Sequence, residues 1–125
     1  MNMPNELNRA RRSELRKLSA RLSVLEREFR ALSPRAMLLE KLEDSARLLS
    51  EKLTHARRRE LLQERTALLL ALERHPAPEN TENDRTFLQH FRELRRECAE
   101  LDVCLTEIRR ELIRDFKRRQ CADLF

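Results

Sequence analysis

Glycine, tryptophan and tyrosine are all absent from this chain of 125 residues. Glycine reaches positive φ without strain, and tight hairpins, phosphate loops and nucleotide-binding folds rely on it. A chain without it is poorly suited to sheets and has no Gly-rich cradle for a phosphate. Proline is sparse, at Pro4, Pro34, Pro76 and Pro78. Apolar runs are short: none approaches the roughly 20 residues that a membrane span needs. Met1 to Arg12 lacks the apolar core of a signal peptide, so a cytoplasmic protein is expected. The three cysteines, Cys98, Cys104 and Cys121, are odd in number and have no framework spacing. Reduced thiols are the expectation.

Catalytic and metal chemistry are also thinly represented. Cys98 and Cys104 are six residues apart, which places them far apart around a helix. His55 and His90 lack a ligand-type partner at helical spacing, apart from carboxylates too common here to signify. Ser, His and Asp occur without a nucleophile motif. Arg85 and His90 have the R-x4-H spacing found in small helical ribonucleases, where the arginine binds phosphate and the histidine moves a proton. In an arginine-rich chain that pair arises readily by chance, so ribonuclease activity stands only as a minor alternative. No enzyme activity, cofactor, metal or small-molecule substrate is expected.

What is present points to helices. Charged residues make up 39% of the chain and hydrophobic ones 40%, with Leu, Ala, Arg and Glu prominent, all strong helix formers. Leu15, Leu18, Leu22, Leu25, Phe29 and Leu32 step by three and four, which predicts a first helix over about 5–32. Upstream, Asn8 and Arg11 interrupt that seam. Ser33-Pro34 predicts a break and restart. A second helix is predicted over 34–74, with Leu39, Leu42, Ala46, Leu49, Leu53 and Ala56 in line and a register slip at Glu60. The stretch 75–84 reads as a loop, with Thr81 or Asp84 as a cap. A third helix is predicted over 83–119, with a seam from Phe87 to Leu112 that Asp115 ends, followed by a short tail over 120–125. The expected fold is all-α: one domain over 1–125, an elongated antiparallel three-helix bundle or coiled coil with heptad seams.

In that arrangement the second helix outruns the first, and its far end is rich in leucine. Leu62, Leu69 and Leu70 point away from Leu61, Leu68 and Leu72. With Phe87, Leu88 and Phe91 they form a predicted partner-binding surface, since large exposed apolar patches mark contacts. The partner would be another protein or a second copy of the chain. A basic belt is predicted where Arg9, Arg11 and Arg12 come level with Arg57, Arg58 and Arg59. A second basic cluster includes the ladder Arg110, Arg114 and Arg118. Both are candidate contacts for phosphates or an acidic partner, against the plainer reading of a solvated face within a net charge of only +5. The leading expectation is a helical protein–protein interaction module: an adaptor, assembly factor, chaperone or small regulatory subunit. The alternative is a nucleic-acid-associated protein.

Overall fold

A computed structural model describes residues 3–78 and 83–123. Thr81, one expected cap, and Leu124 and Phe125 of the expected tail lie outside them. Among the described residues the fold is all-helical, with three helices: α1 (Met3–Leu49), α2 (His55–Glu73) and α3 (Asp84–Asp123). No strand occurs among the described residues, and none of them takes a positive φ, so the turns need no glycine. Asn83 caps α3, its side chain accepting from the Thr86 amide at 2.8 Å. The cap lies one residue before Asp84, and α3 continues to Asp123 through most of the expected tail.

The chain divides into two compact units: one spans Phe29–Glu93, and the other joins the chain up to Glu28 with the chain from Leu94 on. In the Phe29–Glu93 unit, Ala36, Leu39, Phe87, Leu88 and Phe91 form the core, with Phe29, Leu32, Leu42 and Leu72 packed against it. Phe29 and Phe91 stack, with centroids 4.8 Å apart.

Helical geometry continues through Pro34, so helices bounded at 32 and 34 are not what forms. Yet α1 is not straight there. Phe29 stacks on Phe91, whereas Glu43 accepts from Arg92 at 2.7 Å. From Phe29 at Phe91 to Arg35 at Asp84, α1 advances toward the start of α3, and from Arg35 to Glu43 it advances the other way, back to Arg92. α1 therefore bends sharply between these contacts, and Pro34 is the residue there that cannot donate to the preceding turn and crowds it. The core residues on both sides of the proline offset that cost, about 3 kcal/mol in a helix interior. Beyond the bend, Arg35 meets Asp84 and Glu43 meets Arg92, so this part of α1 runs alongside α3 in the same sense.

The real interruption lies further on. Residues 50–54 are not helical, so the single helix expected over 34–74 is two. Ser50 turns its hydroxyl onto the Arg47 carbonyl at 2.6 Å, and Thr54 restarts the chain as N-cap of α2, accepting from the Arg57 amide at 3.2 Å. Hydroxyl side chains compete for backbone groups in this way. α2 then packs back antiparallel on α1. Arg65 donates to the Leu42 carbonyl and to the Ser45 hydroxyl, each at 3.0 Å, and Arg35 donates to the His75 carbonyl at 2.8 Å. Here α1, α2 and α3 form an up–down–up bundle.

The other unit holds two helical segments. α1 and α3 run antiparallel, as the pairs Arg21–Glu97 and Arg11–Glu111 show. Among the described residues its buried apolar ones are Leu94 and Leu105. Leu15, Leu18, Leu22 and Leu25 of α1 and Leu101, Ile108 and Leu112 of α3 are only half-buried, because two helices cover only part of each other's apolar stripe.

Candidate functional site

The six residues expected to form one apolar contact surface are divided by the fold. Phe87, Leu88 and Phe91 are at most 4% exposed and belong to the chain's own core. That part of the expectation is corrected, and the reason is the break at 50–54. The unsupported end was inferred from a continuous 34–74 helix, whereas α2 turns back beside α1 and lets α3 close over both. Leu62, Leu69 and Leu70 remain at the surface of α2, at 51%, 52% and 59% exposure, while Leu61 on the inner face is 1% exposed. Leu62 and Leu69 are seven residues apart and share one helical face. Arg58 and Arg59, both exposed, precede that face, and Glu73 closes the helix.

The expected belt of Arg9, Arg11 and Arg12 with Arg57, Arg58 and Arg59 rested on counting residues along the same unbroken helix. That count fails at residue 50, and the two triplets belong to different units. Their members also have separate partners. Arg57 pairs with Glu60 at 3.1 Å. Arg11 is half-buried and pairs with Glu111 at 3.1 Å and with Asp115. Arg110, Arg114 and Arg118 are exposed on α3, with Arg118 within 4.0 Å of Asp115.

The contacts of Arg11 show why both seams change character at this end. Asn8 and Arg11 interrupt the apolar stripe of α1, and Asp115 ends that of α3. The fold brings these residues together, so the seam continues in polar form. Asn8 is 7% exposed; with its amide oriented to suit its neighbours, it donates to Asp115 at 2.8 Å and accepts from Arg119 at 2.9 Å. A buried polar side chain is tolerated when its groups are satisfied. Beside this seam an open groove of about 610 Å³ is lined by Asn8, Arg9, Arg12, Leu15, Arg16 and Arg119. Arg16 was not among the expected contacts, and Arg119 was expected only within the basic cluster of α3. No spacing along one helix brings the two together, because the groove depends on which end of α3 meets which turn of α1. A second, more apolar groove of about 430 Å³ lies between α1 and α2, lined by residues including Leu48, Leu61, Ala67 and Leu68.

Arg85 and His90 both lie on the exposed surface of α3. Five residues of helix separate the directions in which they leave the backbone by about 140°. Among the described residues no group of three or more His, Cys, Asp or Glu is placed to hold a metal, and no helix is long and apolar enough to cross a membrane.

The cysteines differ in environment. Cys104 and Cys121 are exposed, and Cys98 is half-buried. Burial pushes the Cys98 thiol above its ordinary range, and the negative charges of Glu26, Glu97 and Glu28 push it further. A raised thiol pKa means less reactive thiolate at pH 8. With a chromogenic disulfide reagent at that pH, two thiols should react quickly and Cys98 slowly. Three equal rates would contradict this ordering.

In comparisons with known proteins, the chain matches no family model, no curated sequence and no solved structure.

Proposed function

We propose that the chain is a non-enzymatic, cytoplasmic protein–protein interaction module, of the adaptor, assembly-factor, chaperone or regulatory-subunit kind, that docks an amphipathic helix of another protein on the outer face of α2. One observation carries this reading: three leucines on one short helix, Leu62, Leu69 and Leu70, are each more than half exposed. The water-facing side of a surface helix is ordinarily polar. Leucines one heptad apart match the i, i+3, i+4, i+7 anchors with which a partner helix packs. Charge specifies the partner further. Arg58 and Arg59 at the N-terminal end of the face suit acidic residues on the incoming helix, which would steer its approach and register.

A photo-crosslinking residue at position 69, introduced in the source cell, is expected to capture a discrete partner, whereas the same residue at the exposed Gln89 of α3 should not. Leu62→Glu with Leu70→Glu should abolish capture while far-UV circular dichroism stays unchanged, because neither side chain belongs to the core. Capture that survives the double substitution, or equal capture from both positions, would sink the proposal. Light scattering on the purified chain separates the other occupant: a doubled mass that reverts on double substitution would make the docked helix a second copy.

A further inference from the structure

The groove beside the polar seam has the opposite chemistry to the leucine face, and nothing argued for α2 bears on it. Among the described residues, four of its lining side chains are arginines, Arg9, Arg12, Arg16 and Arg119, and none is acidic. The nearest seam carboxylates are engaged elsewhere, Glu111 with Arg11 and Asp115 with Arg11 and Arg118. Among the described residues, Arg9, Arg12 and Arg16 form no ion pair. Arg9, Arg12 and Arg16 stand three and four residues apart on α1, where like charges repel across the helix surface. The imbalance extends around the groove. Residues 6–17 and 109–123 together have eleven Lys and Arg against five Asp and Glu, a balance of +6, against +5 for the whole chain.

We infer that this groove binds the sugar–phosphate backbone of a nucleic acid without reading its bases. The guanidinium fork matches phosphate oxygens two at a time. From Arg9 to Arg16 the helix advances about 10 Å, long enough to meet successive phosphates along one strand instead of a single anion. Among the described residues Leu15 is the one apolar side chain in the lining and no aromatic ring is there, so they offer no platform for stacking on bases, the usual companion of single-strand recognition. A bilayer presents its phosphates on a broad surface that cannot enter a groove between two helices. Phosphate contacts of this kind position a protein on nucleic acid without conveying sequence.

The test uses the full chain with a fluorescent 20-nucleotide single-stranded RNA and a 20-base-pair DNA duplex, each titrated at several salt concentrations. Binding to either probe is expected, with a log–log salt slope of about −3 to −4 for about four phosphate contacts. Arg12→Ala with Arg16→Ala should weaken binding at least tenfold at low salt and flatten the slope by about one to two. Lys52→Ala with Arg74→Ala removes the same charge from the Phe29–Glu93 unit, at residues outside the groove lining, and should leave both unchanged. Because the groove arginines repel one another, the Arg12 and Arg16 double variant should also keep its helicity and melt at the same or a higher temperature. No binding to either probe at low salt, equal weakening by the two double variants, or displacement by polyglutamate as effective as by unlabelled nucleic acid would overturn the proposal. The last of these would identify the groove as a site for acidic polypeptide.

Discussion

Phe91→Ala is expected to lower stability by about 3–5 kcal/mol, the range for truncating a buried aromatic side chain, read from urea or thermal unfolding followed by circular dichroism. Phe91 is fully buried and stacks on Phe29 with ring planes 17° apart; such ring pairs contribute about 0.5–1.5 kcal/mol beyond the area they bury. It also sits where three helical segments meet, beside Ala36, Leu39 and Leu88, so the cavity left by alanine has rigid walls and little scope to collapse. Against a typical total of about 5–15 kcal/mol, the loss is a large fraction. A loss below about 1 kcal/mol would mean that Phe91 is not core. The same substitution bears on the expectation that Phe91 is a partner contact. A contact residue changes binding and spares the fold, whereas a core residue changes the fold first.

Leu105→Ala should be the next most damaging change, at about 2 kcal/mol, the low end of the range for Leu→Ala. Leu105 is 1% exposed, and among the described residues only Leu94 joins it as a buried apolar residue in the two-helix unit. Its neighbours along the seam, Leu101, Ile108 and Leu112, are half-buried and can relax into the gap, which keeps the figure low. The effect should be local. Amide exchange ought to accelerate over 8–25 and 101–119 with little change over 35–45, where the core is Ala36, Leu39 and the phenylalanines. Uniform acceleration along the chain would contradict a locally supported unit.

Much of this fold is legible in residue spacing. The leucine series from Leu15 to Leu32 and the series from Phe87 to Leu112 mark real helices, and Ser33-Pro34 marks a real change of direction, although helical geometry survives it. The break at 50–54 is concealed because Leu49, Leu53 and Ala56 keep heptad spacing straight across it. The signals against that spacing are Ser50 and Thr54, which satisfy backbone groups locally, and the register slip at Glu60. Spacing also mistakes Ala46, which is exposed, for the inward residue in place of the buried Ser45. That serine is admissible in the core because Arg65 and the Leu42 carbonyl satisfy it, and such a pairing is visible only once α2 folds back.

The arginine groove was half legible for the same reason. Arg9 and Arg12 were expected contacts; Arg16, which lines the groove with them, was not. Asn8, Arg11 and Asp115 look like failures of two separate seams when each helix is read alone. Paired, they are one polar stretch of a single seam. Long-range register is a property of two segments at once, and periodicity within either cannot supply it.

That register also orders the assembly of the chain in time. The Arg65–Ser45 contact closes 20 residues, Arg92–Glu43 closes 49 and Arg11–Asp115 closes 104. Closure entropy grows with the length enclosed and must be met before the contact is gained. The α1–α2 hairpin should therefore form early and the meeting of the two ends last, with the same ends fraying first. The arginine groove comes into existence only at that final step. A polyanion seated there would act as a clasp, bound to the closed chain and not to the frayed one, and so would slow its opening.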